Sequence, residues 1–152
     1  MEENRLIREN ERLDDLQNGY MLIQNPSQFC FGIDAVLLSW YAKVRPGEKA
    51  LDMGTGTGIV PILLKARYPQ GKYTGLEIQP ESAEMAKRSV AYNHLEEDIS
   101  ITLGDIKEAS RIYGGSSFDV VVTNPPYMIG SHGVTGDNPA KTIARHESLC
   151  TL

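Results

Sequence analysis

The segment KALDMGTGTGIVPILL, residues 49–64, passes through three patterns that together decide the fold. A short apolar run predicts a buried strand over 49–53, and a glycine at every second position predicts a tight loop over 54–58. Apolar residues then return at helical spacing and predict a helix over 59–68, in which Pro61 is tolerated because it lies in the first turn. The segment therefore predicts a strand, a loop and a helix in immediate succession.

The same succession continues along the rest of the chain. Strands are predicted over 72–77, 99–103 and 118–123, and a helix that opens with a Pro-Glu pair is predicted over 80–94. Strands that alternate with helices at this spacing form a parallel sheet with right-handed crossovers. The sequence therefore predicts the α/β fold class.

The residues before this region give weaker patterns. Alternating charges over 2–16 suit a solvated helix or a frayed arm, whereas 20–24 predicts a short strand that pairs with a second one at 29–31. Residues 34–42 predict a buried helix, to which a tryptophan and a tyrosine add bulk.

Composition indicates an ordinary globular protein. Of 152 residues, 41% are hydrophobic and 23% charged, and no apolar run approaches the roughly 20 residues of a membrane-spanning helix. The polar start has no secretory signal, and the distant Cys30 and Cys150 argue against a disulfide framework and against a metal site. The net charge of -5 gives no general indication of nucleic-acid binding, so such a partner can be predicted only from the residues of the site. We expect a cytoplasmic protein without a membrane partner.

The glycine loop lies where a parallel sheet binds its ligand. Its N–H groups are expected to point outward, and the missing side chains let a ligand approach the backbone. A dinucleotide fingerprint would need glycine where this chain has Ile59, and no P-loop lysine follows. Glu77, at the end of the second predicted strand, is placed to accept hydrogen bonds from ribose hydroxyls. The alternative is a tight structural turn followed by a solvated acid.

The pattern D-x-G-x-G-x-G, which begins at Asp52, resembles motif I of the class I S-adenosylmethionine-dependent methyltransferases. The resemblance implies a Rossmann-like fold and S-adenosyl-L-methionine as cofactor, with S-adenosyl-L-homocysteine as product. This cofactor carries a sulfonium and an amino group but no pyrophosphate, which fits a loop headed by an acid. Ile78 is expected to press on the adenine, and Asp105 and Ile106 to bind its amino group and ring edge. The cofactor residues that the resemblance implies are Asp52, Gly54, Gly56, Gly58, Glu77, Ile78, Asp105, Ile106 and Asn124.

The fourth predicted strand ends in Asn-Pro-Pro-Tyr, which resembles motif IV of methyltransferases that act on exocyclic adenine nitrogens or on a glutamine amide. Such a nitrogen is a poor nucleophile because its lone pair is delocalised, and its two N–H groups need acceptors. The Asn124 side-chain oxygen and the Pro125 carbonyl can accept both, which positions the nitrogen for transfer without a strong base.

The other two residues of this tetrapeptide support the same chemistry. Pro126 restricts the backbone that presents the acceptors, and Tyr127 offers a face on which a base can stack. The predicted catalytic set is therefore Asn124, Pro125, Pro126 and Tyr127. The alternative is a proline-rich strand exit without chemistry.

Longer stretches narrow the resemblance to one family. They are QNPSQFCFGIDAVLLSWYA (24–42), LEIQPESAEMAKRSVAYN (76–93) and NPPYMIGSHGVTGDNPAKTIARHE (124–147). Together with motif I they resemble the bacterial tRNA(Val) adenine-N6 methyltransferases, which modify an adenine in the anticodon loop. The resemblance implies a tRNA partner and places residues 31–34 beside the substrate pocket. It also makes Lys141, Arg145 and His146 candidate phosphate contacts.

Three other functions remain open. A protein glutamine or DNA adenine methyltransferase would share the Asn-Pro-Pro-Tyr tetrapeptide, and a non-catalytic cofactor-binding or dimerisation module would share the glycine loop. An NAD-dependent oxidoreductase would share the fold, although the chain has no obvious residues for hydride transfer.

The chain ends at Leu152, before the fifth strand of this family would begin. We therefore expect a fold truncated after the fourth parallel strand, with strand order 3-2-1-4 and the valines at 120–122 beside an exposed edge that favours association. The predicted division is an N-terminal extension over 1–46 and a core over 47–152 that lacks its C-terminal part.

Overall fold

A computed structural model describes residues 5–125. The elements in chain order are β1 (Arg12–Asp15), β2 (Met21–Gln24), α1 (Ile33–Tyr41), β3 (Lys49–Met53), α2 (Ile59–Arg67), β4 (Lys72–Glu77), α3 (Pro80–Tyr92), β5 (Ile99–Leu103), a 3-10 turn (Ile106–Glu108), α4 (Ala109–Tyr113) and β6 (Val120–Thr123). None of the described helices has the length and apolar character that crossing a bilayer requires.

Four parallel strands form the main sheet in the order β5-β4-β3-β6. Strand β3 pairs with β4 on one side and β6 on the other, so that Asp52 lies between Gly75 and Val122. The predicted α/β class and strand order are confirmed, and β3, β4 and β5 have the predicted bounds. Because the four strands are parallel, the polar residues that follow them meet at one edge of the sheet.

One face of this sheet packs against α1, α2 and α3 and forms the main core. The sheet contributes Ala50, Tyr73, Ile99 and Val122, and the helices contribute Ala35, Ile59, Ile62, Leu64 and Val90. Gly58, directly before α2, lies against α3, because an added Cβ there would lie 3.2 Å from the Cβ of Ala86. The third glycine of the loop is therefore a helix-packing position.

The N-terminal region differs from its prediction. Residues Arg12–Asp15, predicted as part of a helix or frayed arm, form β1 and pair antiparallel with β2. The predicted strand at 29–31 does not form, and β1 pairs with β2 instead of it. The Asn18-Gly19 turn explains the difference, since it closes a hairpin in which the Leu16 N–H donates to the Tyr20 carbonyl at 3.0 Å.

Helix α1 has the predicted position but is buried on one side only. Trp40 is 66% and Tyr41 88% exposed, so the prediction that they add bulk to a buried helix is wrong. The helix instead buries its small residues Ala35 and Ser39. The Arg67 guanidinium of α2 lies over the Trp40 ring at 4.4 Å from its centre, an arrangement that suits an exposed aromatic side chain.

The hairpin is held to α3 by a charged cluster around Arg88. Its Nη1 donates to Glu11 Oε2 and its Nη2 to Glu11 Oε1, at 2.6 and 2.7 Å, while Nε donates to Glu84 at 2.9 Å. The Glu11 side chain is only 3% exposed, and the hydrogen bonds from Arg88 lower the pKa of Glu11. Removal of the guanidinium would take the charged partner from a buried carboxylate, which would keep the hydrogen bond from the Arg8 N–H at 2.9 Å.

We expect Arg88→Met to lower the free energy of unfolding at pH 7 by about 3 kcal/mol, as for other buried pairs that lose one member. Arg111→Met is the matched control, because Arg111 and its partner Glu108 are 76% and 48% exposed; its loss should stay within about 0.5 kcal/mol. Urea denaturation of both variants measures the difference. Equal losses would show that the Arg88 cluster does not hold the hairpin.

Candidate active site

The described residues enclose a pocket at the carboxyl ends of the parallel strands. The predicted site residues that line it are Asp52, Gly54, Gly56, Glu77, Ile78, Asp105, Ile106, Asn124 and Pro125. Gly58 does not line it, and Pro126 and Tyr127 lie outside the described residues. The pocket therefore brings the glycine loop, the acids of three strand ends and the first half of the Asn-Pro-Pro-Tyr tetrapeptide into one space.

The first three N–H groups of the glycine loop do not point outward as expected. Those of Gly54 and Thr55 both donate to the Leu76 carbonyl, at 2.8 and 3.0 Å, and that of Gly56 donates to Glu77 Oε2 at 2.7 Å. The end of β4 therefore uses three successive donors that a pyrophosphate would need. This geometry disfavours a dinucleotide and favours a ligand without phosphate groups.

The Glu77 side chain, which lines the pocket, holds the glycine loop by a hydrogen bond. Its second oxygen, Oε1, accepts the Gln79 N–H at 2.9 Å, so each carboxylate oxygen holds one backbone donor. Burial raises the pKa of Glu77, although these hydrogen bonds oppose the shift. Each oxygen keeps a second lone pair. Acceptance of ribose hydroxyls by Glu77 stays a prediction.

Asp52 and Thr55 supply two buried polar atoms without partners at the base of the pocket. Asp52 is 3% exposed, and neither its Oδ1 nor the Thr55 hydroxyl makes a hydrogen bond of adequate geometry. Burial raises the pKa of Asp52 to about 7; the nearby Thr55 hydroxyl opposes the rise and the charge of Glu77 adds to it. A cation in this pocket would compensate both acids.

The space above the loop is open. A Cβ built on Gly54 or Gly56 would meet no atom within 4 Å and would project into this space. Unpartnered acceptors below an open cradle fit a ligand that carries positive charge and needs close approach to the backbone. The residues present therefore fit S-adenosylmethionine, whose sulfonium and amino groups are cationic.

Gly75 on β4 allows the loop to sit in this position. A Cβ there would lie 2.6 and 2.8 Å from Cγ2 and Oγ1 of Thr55 and 2.9 Å from Cδ1 of Ile101. The missing side chain leaves room for Thr55 to lie against the sheet. The sequence alone does not reveal the role of Gly75, because only the pairing of Asp52 with Gly75 brings the two segments together.

The edge of the pocket beyond β5 is formed by a short helical segment that the sequence analysis did not predict. Asp105 begins it and accepts the Lys107 N–H at 2.9 Å on Oδ1, while Ile106 is its first residue. An aspartate before a helical turn is a capping signal that could have revealed this segment. The predicted adenine contacts of Asp105 and Ile106 stay predictions.

Asn124 and Pro125 follow β6 at the opposite side of the pocket, and both are exposed. The Thr123 hydroxyl donates to the Met53 carbonyl at 2.8 Å and so fixes the end of β6 beside β3. The acceptor pair predicted for the target nitrogen thus shares a pocket with Asp52. The catalytic role of the tetrapeptide stays a prediction.

Several lining residues were missed, and none of the described ones forms a metal site. Among the missed residues are Gln28 and Phe29 before α1, Thr57 in the glycine loop, Gln79 directly before α3 and Ser82 in its first turn. Gln79 and Ser82 could have been found by the rule that pockets lie beyond the strand ends. Within residues 5–125 no three His, Cys, Asp or Glu side chains are grouped to hold a metal ion.

Comparison with known proteins gives a family and a fold. The model of the methyltransferase small domain family matches residues 31–144. The chain is 36% identical over 127 residues to the tRNA1(Val) (adenine(37)-N6)-methyltransferase of Porphyromonas gingivalis, which covers 80% of this chain and 49% of that protein. The enzyme of the same name from Bacteroides thetaiotaomicron is 34% identical, over 79% and 49% of the two chains. The chain thus spans about half the length of the curated relatives it matches.

Two solved structures agree in fold. A SAM-dependent methyltransferase from Agrobacterium tumefaciens superposes with a TM-score of 0.60 at 20% identity, over 78% of this chain and 41% of that one. An RNA methyltransferase from Salinibacter ruber, in complex with S-adenosyl-L-homocysteine, gives 0.54 at 20% identity, over 64% and 61%. The fold is therefore that of the Rossmann-like methyltransferases, as predicted.

The raised pKa of Asp52 predicts a pH-dependent effect of Asp52→Asn. Between pH 4 and 7 the unfolded chain loses the Asp52 proton while the folded protein keeps it, so this group lowers stability as pH rises and has no further effect above about 7. The asparagine of the variant has no such proton, so this contribution to the pH dependence of stability is absent from it. Its free energy of unfolding relative to wild type should rise by about 2 kcal/mol from pH 5 to pH 8. Urea denaturation at both pH values checks this, and a constant difference would contradict it.

The close approach at Gly75 predicts a coupled pair of substitutions. Gly75→Ala should lower the free energy of unfolding by about 2 kcal/mol because its Cβ overlaps Thr55. Adding Thr55→Ala removes two of the three contacting atoms and should recover at least half of that loss, as a double-mutant cycle would show. Gly115→Ala is the control, since its Cβ would meet no atom within 4 Å. Additive effects of the two substitutions would rule out the steric account.

Proposed function

Because the chain belongs to the methyltransferase small domain family, we propose that the protein transfers a methyl group from S-adenosylmethionine to the exocyclic N6 nitrogen of an adenine in tRNA. The observation that carries the proposal is the common pocket of Asp52, the glycine loop, Asn124 and Pro125. It joins a site suited to a cationic, phosphate-free cofactor with two candidate acceptors for an amino group.

The relatives support the substrate class. Those from Porphyromonas gingivalis and Bacteroides thetaiotaomicron bear a name that specifies adenine 37 of tRNA1(Val). We propose the same class of target here, an adenine in the anticodon loop of a tRNA. A tRNA substrate places the enzyme in the cytoplasm.

The chain's own residues would hold the cofactor as follows. Asp52 and Glu77 provide negative charge on either side of the loop, Gly54 and Gly56 allow close approach, and Ile78 provides an apolar surface for a ring. When bound, S-adenosylmethionine supplies an electrophilic methyl group on a sulfonium.

The target amine is prepared by its hydrogen bonds. The Asn124 side-chain oxygen and the Pro125 carbonyl would each accept one N–H, which orients the nitrogen lone pair toward the pocket and away from the ring system. Pro125 keeps Asn124 out of helical geometry, so little freedom is lost on binding. Both residues are exposed, and the proton released after transfer can pass to water without a dedicated base.

The pocket walls suit a planar base. Phe29 and Phe31 line it and supply aromatic surface close to the start of α1. A base enters such a pocket only when it is unstacked, as bases in an anticodon loop can be. Tyr127 and the basic residues Lys141, Arg145 and His146 remain predicted contacts for the base and for phosphates.

Asn124→Ala should reduce kcat for methylation of unmodified tRNA by roughly 100-fold or more, because one acceptor of the target amine is lost. Affinity for S-adenosylhomocysteine should change far less, because Asn124 is one of several residues that would hold the cofactor and Asp52, Glu77 and the loop remain. Radiolabelled methyl transfer and calorimetric titration give the two quantities. Asn10→Ala, which replaces an exposed asparagine before β1, is the matched control and should retain activity.

The choice of substrate separates the remaining functions. Transfer to a DNA oligonucleotide or to a glutamine-containing peptide in place of tRNA would identify a different amino methyltransferase. Binding of S-adenosylhomocysteine without transfer to any of them would identify a non-catalytic module. Full activity of Asn124→Ala would refute the role given to Asn124.

A further inference from the structure

A buried amide joins the N-terminal hairpin to the wall of the pocket. Gln24, the last residue of β2, is 1% exposed. Its Oε1 accepts the Phe31 N–H at 3.1 Å, and its Nε2 donates to Asp14 Oδ2 on β1. The orientation of the amide follows from these partners, because a backbone N–H needs the oxygen and a carboxylate needs the NH2 group.

Pairing of β1 with β2 does not need this side chain. The strands are joined by backbone hydrogen bonds, and the two residues before Gln24 in β2, Leu22 and Ile23, are both buried and apolar. An apolar side chain at position 24 would bury equally well without an amide to satisfy. The hydrogen bond between Gln24 and Phe31 therefore stabilises the segment around Phe31 more than it stabilises the β1–β2 pair.

That segment, residues 28–32, is here named the pocket strap. It has neither helix nor strand structure, and Gln28, Phe29, Phe31 and Gly32 all line the pocket. At its start Gln28 Nε2 donates to Glu81 Oε2 in the first turn of α3 at 2.6 Å, and at its end the chain enters α1. The strap thus runs from α3 to α1 beside the glycine loop, with the Gln24 amide as its buried attachment.

We propose that Gln24 is a positioning residue whose side-chain amide holds the pocket strap in its ligand-binding position and thereby raises the affinity for the nucleoside cofactor. This inference rests on the proposed function for the identity of the ligand. Without the Gln24 amide the Phe31 N–H loses its acceptor, the strap gains alternative conformations, and the ligand must order it on binding. Preorganisation of this kind changes affinity without adding a contact to the ligand.

Three variants test the inference in the purified protein. Gln24→Leu removes both hydrogen bonds and should weaken binding of S-adenosylhomocysteine by roughly tenfold. Asp14→Asn keeps an oxygen for Gln24 Nε2 while removing the charge, so its affinity should stay within about twofold of wild type. Asn93→Ala is the matched control, because Asn93 bonds both backbone groups of Met21 and its loss loosens the hairpin at a place remote from the strap.

Calorimetric titration gives the affinities, and hydrogen exchange of the peptide that contains Phe31 gives the order of the strap. Faster exchange and weaker binding in Gln24→Leu, with near-normal values in Asp14→Asn and Asn93→Ala, support the inference. Equal affinity of Gln24→Leu and wild type, or an equal loss in Asn93→Ala, overturns it and leaves the proposed function intact. A wild-type protein that does not bind S-adenosylhomocysteine overturns both.

Discussion

The hydrogen bonds from the glycine loop to the end of β4 are the constraint on which the site depends. One carbonyl, that of Leu76, receives two N–H groups, and the Glu77 carboxylate receives a third. These bonds turn the chain away from β3, leave space above Gly54 and Gly56, and direct the start of α2. A loop with the composition of a phosphate cradle thereby has its first three N–H donors already bonded within the protein.

The same constraint places two acids in a region of low exposure. Glu77 is 5% and Asp52 3% exposed, and burial raises the pKa of both. Their proximity destabilises the ligand-free protein, because each charge is poorly solvated and repels the other. A cationic ligand relieves this repulsion. In the proposed function the pocket would therefore gain selectivity for positive charge at the expense of stability, as is common at functional sites.

The N-terminal hairpin takes part in this arrangement although it lies outside the main sheet. Arg88 and Asn93 fasten it to α3, and Gln24 connects it to the strap that forms one wall of the pocket. The hairpin therefore contacts a segment that lines the pocket. Its pairing was predicted wrongly because alternating charges over 2–16 mask the short β1 strand, whose partner is decided by the turn at Asn18-Gly19.

The sequence by itself determined the class of fold, the parallel strands, the glycine loop and most of the polar residues at the strand ends. These features follow from local periodicity and from the rule that parallel strands present their carboxyl ends at one edge. Only the tertiary structure decided where the loop amides point, that Gly75 makes room for Thr55, and that Gln24 reaches Phe31. Each of these depends on contact between segments that are distant in the chain. Local sequence patterns determine helices, strands and turns but do not determine which distant atoms come into contact.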